Sequence, residues 1–229
     1  MNFKLSVLAA VTALMLPAAA ANAVVIGSSD GGNCYPFMCN DSGTSVGQSI
    51  HYQQIYLGSL FGGPSSFDTI SFSSWTGSGT VLGGTYAISF STTSAAIGAG
   101  YPIGPLANTA GFFTGTLGGA VGASFSITGT SYDFNPADGN LVMDIVVTNQ
   151  DNVPNGSGNS YNWADYTGVQ TTRAYDLSGR TSNGLGALVT EFNTVGTVPE
   201  PTTWALMIAG FGMVGLAARR RRVGAYYPS

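Results

Sequence analysis

Apolar and small polar residues alternate with a period of two along several segments of this chain. That alternation restricts the fold more than any other feature. Leu141, Met143, Ile145 and Val147 alternate with Val142, Asp144, Val146 and Thr148. Tyr86, Ile88 and Phe90 alternate with Ala87, Ser89 and Ser91, and Phe125 and Ile127 with Ser124, Ser126 and Thr128. Successive side chains of a strand point to opposite faces, so each segment reads as a half-buried antiparallel strand. Further strands are expected at Ile50 to Leu57, Thr69 to Ser73, Phe112 to Leu117, Thr171 to Tyr175 and Ala187 to Phe192. Turns are expected at Gly62-Gly63-Pro64, Gly77-Ser78-Gly79, Gly118-Gly119 and Pro136 to Asn140. In the last of these Pro136 sets the entry and Gly139 supplies a positive φ at the exit. The strand after it buries its Leu141 face, and Asp144 on the other face needs a hydrogen-bond partner. No amphipathic helix of ten or more residues is legible between residues 24 and 198. The pattern predicts an all-β fold, an antiparallel β-sandwich of jelly-roll-like type. A β-helix would require a fixed repeat, which is missing.

Charge narrows the partners. Only 8% of the 229 residues are charged, against about 25% in an average chain. With 44% apolar and 11% aromatic residues, the chain has the means to build a core and lacks the signature of solvating disorder. Residues 24–198 hold ten acids against two arginines, Arg173 and Arg180, for a net charge of −8 with no lysine. No basic face is available to neutralise phosphates, which excludes a nucleic-acid partner. The same charge repels anionic lipid and polysaccharide and keeps an exported domain soluble.

The two ends read as address labels. Residues 1–23 combine Lys4, an apolar run from Leu5 to Leu16 and the small-x-small site Ala21-Asn22-Ala23. This is the three-part pattern of a secretory signal peptide, with cleavage expected before Val24. Residues 204–218 are uncharged and are followed by Arg219, Arg220, Arg221 and Arg222. Fifteen helical residues rise about 22 Å, and the preceding Pro201 to Thr203 together with snorkelling arginines extend that towards a roughly 30 Å hydrocarbon core. A single transmembrane helix is therefore expected, with the arginines on the cytoplasmic side and the preceding domain outside. The expected organisation is a signal peptide at 1–23, an exported domain at 24–198, a sorting and membrane segment at 199–222 and a short cytoplasmic tail at 223–229.

The tail also carries a resemblance. Val198-Pro199-Glu200-Pro201-Thr202-Thr203-Trp204-Ala205, the apolar stretch and the arginine cluster resemble the PEP-CTERM sorting tail, in its PEPxxWA subclass. The resemblance implies that an exosortase, a membrane-embedded cysteine transpeptidase of exopolysaccharide-producing Gram-negative bacteria, is a partner. It further implies that Pro199, Glu200 and Pro201 are the recognition motif, that Trp204 and Ala205 complete it at the membrane interface, and that Arg219 to Arg222 act as the stop. Two prolines suit this role physically, because they hold the chain extended where a protease must grip it. Within the domain, Ala87 to Thr93 and Phe134 to Ile145 are similar to the sandwich domain found in many PEP-CTERM proteins. That likeness covers about half of residues 24–198 and supports the fold.

A search for chemistry yields little. Cys34 and Cys39 in an exported protein point to a disulfide. Four intervening residues do not fit a thioredoxin-like pair, and two cysteines are too few for zinc. His51, the only histidine, would have to serve any Ser-His-Asp triad. It lies in an alternating strand beside Gln53, without a G-x-S-x-G elbow, and reads as a strand-rim residue. Glu191 is the sole glutamate in residues 24–198, and no carboxylate pair stands out for glycan hydrolysis. Asp133 to Gly139 departs from a calcium loop in spacing. The oxygen-rich stretch 151–165 could hold calcium or line a glycan site with Tyr161, Trp163 and Tyr166. No catalytic residue, metal ligand or cofactor is assigned. The expectation is a non-catalytic, exosortase-sorted surface or matrix protein associated with exopolysaccharide or biofilm. Its alternatives are a carbohydrate-binding or adhesive module, a secreted glycan-active enzyme and an ice-binding protein. The last would need a flat threonine array, which the Thr92-Thr93 and Thr171-Thr172 pairs do not form.

Overall fold

The computed structural model describes residues 23–38, 48–74, 77–151, 162–165, 167–194 and 210–211. The chain divides into two compact units, Ala21–Thr197 and a second made of Met1–Ala20 with Val198–Ser229. In the second unit Gly210 and Phe211 are helical and Phe211 is exposed. The rest of the predicted span at 204–218 lies outside the described residues, among which no helix is long and apolar enough to cross a membrane.

The unit Ala21–Thr197 is built from antiparallel strands. In chain order they are β1 (Ala23–Ile26), β2 (Gly31–Asn33), β3 (Gln48–Tyr56), β4 (Ser65–Ser73), β5 (Gly79–Thr93), β6 (Leu106–Val121) and β7 (Ser124–Phe134). They continue as β8 (Asn140–Gln150), β9 (Asn162–Asp165), β10 (Thr171–Leu177), β11 (Arg180–Gly184), β12 (Ala187–Leu188) and β13 (Thr190–Thr194). One sheet has the order β1-β13-β4-β7, a second β11-β10-β3-β8-β5-β6, and a small third β12-β9-β2. The expected all-β architecture is present. The β3, β5, β7, β8 and β10 segments coincide with the period-two runs because each has one face that water must leave.

The two large sheets meet across aromatic rings. Phe67 of the four-stranded sheet lies 4.9 Å from Phe90 of the six-stranded sheet and 4.8 Å from Phe192. Phe37, in the turn after β2, bridges Phe72 and Tyr86 at 5.0 and 5.7 Å. Edge-to-face and tilted contacts at these separations add to the burial of large apolar surfaces. On the outer face of the four-stranded sheet hydroxyls pair across β4 and β7. Ser66 meets Ser131 at 2.7 Å, Thr69 meets Thr128 at 3.1 Å and Ser71 meets Ser126 at 2.9 Å. β13 adds Glu191 and Asn193 to the same face, in register with Ser71 and Thr69, and Asn193 Nδ2 donates to Ser71 Oγ at 3.2 Å.

Three expectations need correction. Gly118 and Gly119 are not a turn but lie inside β6, where pairing slips between Val81 and Gly84 of β5. Their φ values of 157° and 108° make a bulge, and a Cβ at Gly118 would come within 2.9 Å of Gly83 Cα. Glycine there relieves a close backbone crossing instead of reversing the chain. The 187–192 segment is two strands, because the chain changes sheets at Val189: β12 pairs with β9 and β13 with β4. The outer face of the six-stranded sheet is not open throughout. Ser91 and Thr93 are buried, and Ile55, Ile103, Val142 and Ala174 form a second apolar cluster with Ala95, Ile97, Ala99 and Tyr101 of the segment 94–105. Thr92, Thr93, Thr171 and Thr172 are accordingly buried and belong to no surface array.

The turn 136–140 forms as expected. Pro136–Asp138 makes a short 3-10 turn with Ala137 N donating to Asn135 Oδ1, and Gly139 follows at φ 119°. A Cβ at Gly139 would overlap the carbonyl oxygen of Thr93.

Candidate functional site

The described residues with the most developed chemistry sit on the outer face of the six-stranded sheet. β3 and β8 pair so that Gln53 faces Asp144 and His51 faces Val146, while β10 sets Asp176 opposite His51. Asp144 is the focus. His51 Nε2 lies 2.8 and 3.0 Å from its two carboxylate oxygens, and Gln53 Nε2 donates to Oδ2 at 2.7 Å. The partner that Asp144 needs is thus supplied from the neighbouring strand.

The segment 94–105 closes over this pair. Tyr101 Oη is 2.6 Å from His51 Nδ1, and its ring meets the imidazole edge-on at 5.3 Å. Ile103 N donates to Gln53 Oε1 at 2.7 Å. Thr93 Oγ1 donates to the Pro105 carbonyl at 2.7 Å, Gly98 N to Thr172 Oγ1 at 2.9 Å and Asn140 Nδ2 to the Ala95 carbonyl at 2.9 Å.

The electrostatics decide what this arrangement can do. The Asp144 hydrogen bond, with the charges of Asp144 and Asp176 adding to it, raises the His51 pKa despite partial burial. Burial, followed by the charges of Asp176 and Asp144, raises that of Tyr101. In the order of its groups, Tyr101–His51–Asp144 resembles a nucleophile–base–carboxylate relay. A phenol whose pKa is pushed upward is the reverse of an activated nucleophile. The imidazole is bonded at both nitrogens, to Asp144 and to Tyr101. With Nε2–H on Asp144, neutral His51 accepts from the Tyr101 hydroxyl at Nδ1. Once protonated, it donates from Nδ1 to the phenol oxygen instead. The contact survives either state, as a latch on the segment 94–105 requires.

The residues singled out from sequence are distributed as follows. Ala23 and Val24 belong to β1, which begins one residue ahead of the expected signal cut; Ala21 lies outside the described residues. Cys34 is disulfide-bonded, and Cys39 lies outside the described residues. So do Pro199, Glu200, Pro201, Trp204, Ala205 and Arg219 to Arg222. Of the aromatic loop, the backbone of Trp163 pairs with Gly32, while its side chain, Tyr161 and Tyr166 lie outside the described residues. His51 is expected as an exposed or rim residue; it is about one-third exposed, but β3 is an interior strand between β10 and β8 and Tyr101 packs on the ring. Tyr101 was not legible, because its segment has no periodicity and meets His51 across 50 residues of chain.

Comparison with known proteins identifies the tail. The family model described as the PEP-CTERM protein-sorting motif matches residues 197–222. The chain carries a PEP-CTERM sorting signal. The match takes in the whole tail from Pro199 to Arg222, and it implies export through a membrane-anchored precursor. No curated protein matches this chain. No solved structure matches it either.

Proposed function

We propose that this PEP-CTERM protein is a non-catalytic component of the cell surface or extracellular matrix, sorted by an exosortase and associated with exopolysaccharide. The sorting-motif match at 197–222 carries the reading. In it, residues 1–23 are a signal peptide removed before Val24. Pro199, Glu200 and Pro201 are gripped by the exosortase, with Trp204 and Ala205 at the membrane interface. The apolar stretch that follows is a single transmembrane helix, and Arg219 to Arg222 hold its end in the cytoplasm. Cys34 pairs with Cys39 after export. A non-catalytic use of the lone histidine fits the Tyr101–His51–Asp144 geometry, in which the imidazole ties the segment 94–105 to the sheet and the phenol pKa is shifted upward, away from activation.

Mass spectrometry of the protein recovered from cells with and without the exosortase tests the reading. A C-terminus near Pro201 in the first case and an intact Ser229 in the second are expected. Ser229 retained in both would overturn exosortase processing and leave a one-pass anchor.

A further inference from the structure

Residues 24–198 hold only two arginines, and one of them lies on the inward side of β10. Arg173 and Tyr175 are in register with Gln54 and Tyr52 of β3 on one flank and with Gly184 and Ser182 of β11 on the other. Tyr52 and Gln54 are fully buried, whereas Ser182 is exposed. The two side chains therefore stand at the lip of the core, half-buried. There is room beside them: a Cβ built at Gly184 would meet nothing within 4 Å.

The lip is chemically unusual. The Arg173 guanidinium carbon lies 5.3 Å from the centre of the Tyr175 ring, and Tyr35 stacks on Tyr175 at 5.3 Å and 23°. One guanidinium nitrogen donates to Asn33 Oδ1, which also accepts from Tyr35 N at 3.0 Å. Asn33 is 3% exposed, and its Nδ2 reaches no acceptor in good hydrogen-bond geometry, the Tyr52 hydroxyl being the one it approaches. Among the described residues no carboxylate forms an ion pair with Arg173.

A half-buried guanidinium whose one hydrogen bond among the described residues goes to Asn33 is costly to keep unless something acidic visits it. Its planar fork matches a carboxylate, and a carboxylate seated there would also give Asn33 Nδ2 a better-aligned acceptor than the Tyr52 hydroxyl. The bordering tyrosines offer an apolar edge with a polar tip, suited to a ring that is apolar on one face and hydroxylated around its rim. We propose that Arg173, Asn33, Tyr35 and Tyr175 form a binding site for a uronic acid, a sugar ring bearing one carboxylate. The site belongs to the folded unit and stands independently of the sorting reading. The net charge of −8 opposes a long polyanion, so a short ligand is the proper probe.

Digalacturonate titrated into the ¹⁵N-labelled full-length protein in detergent is expected to bind saturably. Shifted amides should centre on residues 33, 35, 173, 175 and 184, and the neutral digalactose should cause none. Arg173→Gln should weaken binding about tenfold, the size of a lost charge-assisted hydrogen bond. Arg180→Gln changes the net charge equally and should weaken it less than twofold. No saturable binding, shifts centred elsewhere, equal binding of the neutral disaccharide or equal loss in the two variants would each overturn the site. The amide map uses the unaltered protein, so it decides even if Arg173→Gln fails to fold.

Discussion

The two faces of the six-stranded sheet are covered by different physics. On the inner face Phe90 packs on Phe67, Phe112 and Tyr132 at 4.9, 5.1 and 5.5 Å. On the outer face a thin layer around Ile55, Ile103, Val142 and Ala174 is held down by directed bonds from Tyr101, Gln53 and Asp144. The inner face gains its stability from area and shape, which many residue choices can supply. The outer layer depends on a few polar atoms whose partners must be those and no others. A loss on the inner face should therefore loosen the whole unit, and a loss on the outer face should free one segment.

Four measurements sharpen or break that contrast, each on the whole protein. Phe67→Ala should have the largest effect, about 3–5 kcal/mol of unfolding free energy by urea titration, because ring contacts in both sheets are lost together. Asp144→Ala removes the acceptor shared by His51 and Gln53 and should cost about 1–3 kcal/mol. Its hydrogen exchange should rise over residues 94–105 before it rises in β5 or β8. Tyr101→Phe deletes one hydroxyl and should cost about 1 kcal/mol with the same local signature. If Tyr101→Phe instead destabilised as much as Phe67→Ala, the distinction between the two faces would be lost.

The smallest effect is in pH. The folded pKa of His51 is raised, chiefly by its Asp144 hydrogen bond. Its contribution is therefore fully present below the unfolded value of about 6.5 and fades as pH climbs through the raised folded value. Solvent screening at this part-exposed position should keep it below about 1 kcal/mol. The stability gap between wild type and His51→Gln should narrow as pH is raised, measured by urea midpoints from pH 5 to 9. A gap that widens with pH would mean that burial, not Asp144, governs the imidazole.

The same contrast explains what could be read in advance. Tyr86, Ile88 and Phe90 differ so sharply from Ala87 and Ser89 that β5 and its buried side were legible from spacing alone. The need of Asp144 for a partner was legible too, because a carboxylate flanked by Val142 and Val146 has few other options. Tyr101 was not, since a loop residue carries no period and its partner is fixed only when β3 and the segment 94–105 meet. Gly118-Gly119 misled for a related reason. A glycine pair is written the same way for a turn and for a bulge, and only the strand alongside, here at Gly83, decides between them. Arg173 was visible as one of two arginines, but its place at the lip, without an ion pair among the described residues, needed the register of β10 with β3 and β11.

In the four-stranded sheet β13 lies between β1 and β4, and Ala23 faces Asn193. The first strand of the unit thus leans on the last one to be synthesised. An export intermediate halted before residue 190 would have a missing plank in the middle of that wall, with β1 left nothing to dock on. The unit can finish closing only once its own far end has arrived.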